Sequence, residues 1–401
     1  MGVTINLANG GLGGTLQIAD GVCGLVMTGA SESGGYTLGT PILVTGMASV
    51  TAAGITATYN PFAIRQLQEF YNEAGDGAQL YLMLVSSAVT VASMALNSNA
   101  NGVVKLLNYA AGTIKVVGIV ADDKRIATDG GAITITNGMN ADVYTAASNL
   151  KTTINGYAAV QQPLRGIIGG TSYASVPANL TNMTTGSNNR VAIVIGNTEV
   201  YDSGTYGAAA AYGSAAVGLC LGTIATRKVQ QKISRVRSGP LSNTTCYLGT
   251  VPVLCTTADI NTISGKGFIC FAAYAQKSGF FWKSDPMLTA TTDDYKFLAY
   301  GRVIDKAQII TYRTYLEEVD DDLPLNTDGS ETMQPTFVAY LQNLVIQQIE
   351  ATMKVNGEIT SVDCFIDPAQ NVVTNSQVNI VVKVRPKGYA SNIVISLGFE
   401  A

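Results

Sequence analysis

Short apolar runs separated by helical stretches set the rhythm of this 401-residue chain. Residues 24–27, 41–44, 80–85, 114–121, 164–168 and 191–195 each read as a strand, the last two as short buried ones. Asn60-Pro61 sets an N-cap residue before a proline at the first helical position. Ile64, Leu67 and Tyr71 then share a face, and Gly75 stops that helix. Residues 140–154 show helical spacing through Val143, Leu150 and Ile154. Strands alternating with helices predict an α/β layer on a largely parallel sheet. Residues 170–190, rich in Ser, Thr and Asn, read as a surface loop. The uncharged run 208–225 is Ala/Gly-rich and broken by Tyr212 and Ser214. A membrane span needs about 20 strongly apolar residues, so this run predicts a small-residue helix packed closely on a sheet.

Further along, residues 267–274 read as a strand, and 277–285 carry the only tryptophan, Trp282. A helix is predicted over 294–319, with Ile309, Tyr312, Leu316 and Val319 on one face. After a turn with Pro324 and Gly329, Pro335 opens a second helix that lines up Val338, Leu341, Val345 and Ile349 and ends at Asn356-Gly357. Strands at 359–366, 378–385 and 392–399 close the chain. The last is cut off by Pro386, Lys387 and Gly388 and has no obvious partner of its own. At the other end Val3, Ile5 and Leu7 alternate weakly before Gly10, Gly11, Gly13 and Gly14, the pattern of an extended arm. The expected organisation is multi-domain: an N-terminal arm (1–20), an α/β domain (21–258), a C-terminal α+β domain (259–386) and a C-terminal strand arm (387–401).

Charged residues make up only 13% of the chain, about half the usual share for a soluble domain. A monomer with so few charges exposes much uncharged surface and tends to associate, although a large core also lowers the fraction. The net charge of −4, from 24 basic and 28 acidic side chains, gives no general attraction to nucleic acid or anionic membrane. The start lacks the basic and apolar regions of a signal peptide. None of Cys23, Cys220, Cys246, Cys255, Cys270 and Cys364 forms a C-x-x-C pair, so buried free thiols are expected.

The absence of histidine removes Ser–His and Cys–His nucleophile pairs and the commonest metal ligand, leaving open enzymes that use carboxylates, Lys or Tyr. Gly265-Lys266-Gly267 lacks the upstream glycine and following Ser/Thr of a phosphate loop, and no dinucleotide fingerprint follows a strand. No catalytic, cofactor or metal site is read. Two charged runs stand out: Arg227, Lys228, Lys232, Arg235 and Arg237, and Glu317, Glu318, Asp320, Asp321 and Asp322. The first could be a nucleic-acid patch, but no aromatic residues interleave it. The second lacks the spacing of a calcium loop. Charge contacts with a neighbouring subunit or another protein are the preferred reading, with solvated faces as the plain alternative.

Several local patterns resemble those of contractile tail sheath proteins, from phage tails and contractile injection systems. Gly2-Val3-x-Ile5 resembles the family's N-terminal arm strand, and residues 21–26 its first core strand. Residues 41–45 are similar to the segment that follows it in the family, and residues 67–75 with 78–85 to its "FF-N-GG-x-x-A-Y-V-V-R-V" piece. Residues 208–227 sit where sheaths carry a small-residue helix, and residues 277–282 resemble the "G-x-x-x-W-G" strand end, with Lys283 in place of its usual last glycine. Residues 295–318 resemble "R-x-I-N-V-R-R-x-x-x-Y-I-E", with the double arginine missing.

The resemblance implies a structural subunit, not an enzyme, that polymerises as hexameric rings stacked around an inner tube and contracts to drive the tube through a target envelope. It implies an outer α/β domain, an inner C-terminal domain, and terminal strands exchanged with neighbours through Val3, Ile5, Leu7, Ile393, Ile395, Leu397 and Phe399. Gly10, Gly11, Gly13, Gly14, Pro386 and Gly388 would be the joints. The implied partners are other copies, a tube protein, and baseplate and terminator proteins, with assembly in the bacterial cytoplasm, no cofactor, no nucleic-acid contact and no membrane insertion. A non-contractile shell protein of a phage-like particle is the alternative.

Overall fold

The computed structural model describes residues 19–31, 34–122, 133–199, 214–391 and 393–397. The predicted arm residues Val3, Ile5, Leu7, Gly10, Gly11, Gly13 and Gly14, and Phe399 at the other end, lie outside the described residues. The chain divides into two compact units, residues 1–305 and 306–401.

The first unit is built on strands β1 (Cys23–Gly29), β2 (Ile42–Val44), β3 (Leu80–Ser86), β4 (Val116–Val120), β5 (Arg165–Gly169), β6 (Val191–Ile195), β7 (Ile269–Ala272) and β8 (Phe281–Trp282). They form one eight-stranded sheet in the order β8-β7-β6-β5-β4-β1-β3-β2. The run from β7 to β3 is parallel throughout, and β2 and β8 cap the two edges antiparallel. Strands β1, β4, β5 and β6 are buried at every position, as expected of a sheet covered on both faces. The sequence-based boundary at 258/259 falls inside this unit, because β7 and β8 extend its sheet.

Helices of this unit include α1 (Pro61–Ala74), α2 (Val103–Ala110), α3 (Ala141–Ala159) and α4 (Val217–Thr226). Asn140 caps α3 by accepting from the Asp142 amide at 3.1 Å. Asn60 precedes α1 as predicted, but its side chain makes no capping bond. Its Oδ1 accepts from Ala30 N at 2.6 Å and its Nδ2 donates to Ala30 O at 3.1 Å, tying the helix start to the end of β1.

Helix α4 accounts for the small-residue run, although it starts at Val217 and residues 208–213 lie outside the described residues. A Cβ added at Gly218 would stand 2.0 Å from the Gln66 carbonyl oxygen, and one at Gly222 2.5 Å from that of Phe70. Helices α4 and α1 therefore touch backbone to backbone. Gln66 stitches them, donating to Ala215 O at 2.9 Å and accepting from Gly218 N at 2.6 Å. Val217 and Leu221 reach the sheet over Gly118, where a Cβ would meet both within 2.8 Å. Trp282 stacks on Phe271 at 4.6 Å and donates to Thr223 Oγ1 at 3.1 Å, fixing β8 to α4. The loop predicted over 170–190 is partly interior: Thr171, Ser172, Tyr173 and Leu180 are buried.

Helix α5 (Leu298–Leu316) runs across the division at 305/306. The second unit continues with α6 (Pro335–Ile349), a π-helical turn over Glu350–Lys354, and strands β9 (Ile359–Ile366) and β10 (Ile380–Pro386). Val338, Leu341, Val345 and Ile349 are buried as their spacing predicts. The other predicted stripe is not core: Ile309 is half-buried, and Tyr312, Leu316 and Val319 are exposed.

Candidate functional site

Strands β9 and β10 form an antiparallel hairpin from Ile366 opposite Ile380 to Ile359 opposite Pro386, with a register shift between Ile359 and Ser361. Ile359, Cys364 and Ile366 turn inward, whereas Phe365 and Val381, directly opposite each other, both face solvent. Among the described residues this sheet has two strands only, so one edge of β9 and one edge of β10 offer unpaired backbone groups.

Past Pro386 and Gly388 comes the segment expected to be a strand. Residues 393–397 pair with no strand among the described residues, and Ile393, Val394, Ile395 and Leu397 are 78%, 92%, 77% and 96% exposed. Burying four such side chains is worth about 1.5–3 kcal/mol each, which this chain leaves unrealised. Around Gly388 there is open space, with nothing within 4 Å of an added Cβ.

The basic run is split by the fold. Lys232 turns inward: its Nζ lies 3.2 Å from Asp285 Oδ1 and 3.5 Å from the centre of the Phe297 ring. Burial pushes the Asp285 carboxyl upward, and Lys232 pulls it back. Asp285 also caps α5, its Oδ2 accepting from Ala299 N at 3.3 Å. Lys232 is thus committed within its own chain. Arg227 is half-buried, and its carbonyl accepts from Arg302 Nη2 at 3.0 Å. Lys228, Arg235 and Arg237 remain exposed.

The acidic run follows the last turn of α5. Glu317, Asp320, Asp321 and Asp322 are exposed, and the half-buried Glu318 accepts from Tyr340 OH at 3.0 Å. This run borders a groove of about 410 Å³ in the second unit, lined by Tyr315, Leu341 and Ile380 together with Glu318, Asp320 and Asp321.

Two buried ion pairs escaped the sequence reading. Arg165 lies inside a strand read as apolar, its side chain 2% exposed, and pairs with Asp305. Its Nη1 donates to Asn189 O at 2.8 Å and its Nη2 to Gly301 O at 3.0 Å. Gly301 makes the room, since a Cβ there would stand 2.7 Å from the guanidinium carbon. In the second unit Lys306 pairs with the buried Glu358 at 2.8 Å. The available signal was the arginine itself, because a charge inside a buried strand demands a counter-ion.

A doubly wound sheet commonly binds ligands beyond the strand ends where the winding reverses, here between β3 and β4 on either side of β1. Near the end of β1, Asn60 holds both backbone groups of Ala30, and Thr28 Oγ1 accepts from Asp122 N at 2.7 Å. No group of three or more Cys, Asp or Glu suited to a metal ion occurs among the described residues.

Comparison with solved structures places this fold. A chain of the cryo-EM structure of the anti-feeding prophage (AFP) baseplate, 6-fold symmetrised, is similar over 100% of this chain and 99% of its own, with a TM-score of 0.64 and 12% identity. The AFP helical sheath in its contracted state matches with a TM-score of 0.62 and 12% identity over 99% of this chain and 98% of that one. The contracted PVC sheath complex of an extracellular contractile injection system gives 0.58 and 12% over 99% and 97%. The fold is that of contractile injection system sheath proteins along the whole chain. A search of curated proteins found no match. The chain belongs to the DUF2586 family, whose N-terminal domain matches residues 1–285 and whose C-terminal domain matches residues 294–401.

Proposed function

We propose that this chain is the repeating subunit of a contractile sheath, stacked as rings around an inner tube and contracting to drive that tube through a target envelope. The observation that carries the reading is the segment 393–397, an apolar run left in solvent by a unit whose hairpin has two strands only among the described residues. In this reading the segment joins the hairpin of a neighbouring copy as an added strand. Ile393, Ile395 and Leu397 would then face one side of the enlarged sheet and Val394 the other. Each backbone hydrogen bond contributes about 0.5–1.5 kcal/mol net, and many copies make the sum large. Val3, Ile5 and Leu7, followed by the glycine joint, supply the second exchanged strand.

The partners are other copies, a tube protein, and baseplate and terminator proteins, with the C-terminal unit toward the tube. Contraction repacks unit surfaces from a metastable lattice to a more stable one, with Pro386 and Gly388 as joints that keep the exchanged strands paired. No cofactor takes part. No helix among the described residues is long and apolar enough to cross a membrane, and the reading has assembly in the bacterial cytoplasm.

Removing residues 388–401 tests strand exchange. The truncated chain should remain folded, soluble and monomeric, whereas polymer as abundant as from the full chain would sink the idea. Negative-stain microscopy of the full chain tests the sheath itself. Striated hollow cylinders are expected, and closed shells would instead favour a non-contractile shell protein.

A further inference from the structure

The groove at the end of α5 combines an apolar lining with unneutralised acid. None of Glu317, Glu318, Asp320, Asp321 and Asp322 forms an ion pair with a described residue. They also follow a helix C-terminus, where negative charge is unfavourable and an arriving cation is stabilising. The first unit carries the complementary feature. Arg235 and Arg237 are exposed on either side of the half-buried Val236, at the short 3-10 turn Val236–Ser238, and Lys228 is exposed nearby in sequence. These three cations likewise form no ion pair with a described residue.

We propose that the groove receives the Arg235–Arg237 turn of a second copy. Arg235 and Arg237 pair with Asp320 and Asp321, and Val236 meets the apolar lining. Guanidinium groups suit this role because they offer several donors in a fixed fork to neighbouring carboxylates. The inference rests on the assembly reading above and adds to it a second joint, made by side chains and sensitive to salt. Lys232, spent on Asp285, takes no part.

The test is charge reversal in the full-length chain, read as the fraction that sediments as polymer. Asp320→Lys with Asp321→Lys, or Arg235→Glu with Arg237→Glu, should each lower that fraction at least about tenfold, since like charges brought together repel strongly. The combined fourfold variant should recover most of it. All four positions are exposed, so circular dichroism melts of the arginine reversal should match the wild type, and those of the acidic reversal should fall only slightly, since Asp320 has φ +62 and lysine suits that backbone less well. Reversals without effect, losses that the combined variant fails to repair, or a wild-type chain that never associates would each overturn the proposal. A loss from the acidic reversal alone would also overturn it and point to a different basic partner. Truncation at residue 388 separates the two ideas: if it abolishes polymer while the reversals do not, strand exchange stands and the groove contact falls.

Discussion

Arg165 and Asp305 meet in a bidentate buried ion pair, Nε to Oδ2 and Nη2 to Oδ1, each at 2.6 Å. The same carboxylate takes Arg190 Nη1 at 3.3 Å. One side chain comes from the middle of the sheet and the other from α5, so the pair fastens that helix to the sheet it follows. Asp305→Ala would leave Arg165 buried without its counter-ion. The expected loss is about 3–5 kcal/mol, measured by urea denaturation. Arg190→Ala, which removes a more exposed partner, should cost clearly less.

Backbone contact between α1 and α4 makes a second prediction. Gly218→Ala and Gly222→Ala should each destabilise by about 1–3 kcal/mol or more, because the helices must part. Gly156 lies inside α3 with nothing within 4 Å of an added Cβ. Gly156→Ala should therefore stabilise by about 0.5–1 kcal/mol. Thermal melts of the three variants would check the contrast.

Glu69 supplies a pH dependence. It is buried, and Thr198 donates to one carboxylate oxygen. Arg65 Nε stands 3.9 Å from the bonded oxygen. Burial outweighs Arg65 and raises the carboxyl above its ordinary value of 4.5. The folded state thus holds this proton more tightly than the unfolded state. Its contribution is most favourable below the ordinary value and is lost as pH rises through the folded one. Glu69→Gln should gain stability over wild type as pH rises from about 4 to about 8. Paired denaturation curves at the two ends would show it, and a constant difference would contradict it.

The cysteines separate by exposure. Burial pushes Cys23 and Cys270 up to about 12 and raises Cys220, Cys246 and Cys364 as well, whereas Cys255 alone is exposed. A thiol reagent should label Cys255 in the native chain and the other five only after unfolding. Mass spectrometry of the labelled peptides reads the result directly.

The terminal segment predicts a separation of stability from assembly. Ser at Ile393, Ile395 and Leu397 should leave the melting temperature of the monomer unchanged, because those side chains already meet water. The same changes should weaken polymerisation markedly, as judged by sedimentation. A lowered melting temperature would mean that the segment packs within its own chain.

Local pattern alone determined much of this protein. The strands at 191–195 and 359–366, the Pro335 helix with its buried face and the alternation of strand and helix all follow from spacing and side-chain type, which act over a few residues. The lack of histidine was equally legible.

Tertiary structure decided what depends on partners distant in sequence. Tyr312, Leu316 and Val319 have core spacing, yet the fold leaves them exposed, because periodicity shows that residues share a face but not what covers it. Lys232 and Arg235 belong to one basic run, but a carboxylate more than fifty residues away draws only the first inward. Arg165 is tolerable in a buried strand because Asp305, 140 residues later, arrives at its guanidinium. The small residues of α4 are explained by carbonyl oxygens of α1, about 150 residues earlier. Burial and charge pairing are set by such long-range meetings, and only the folded chain brings them about.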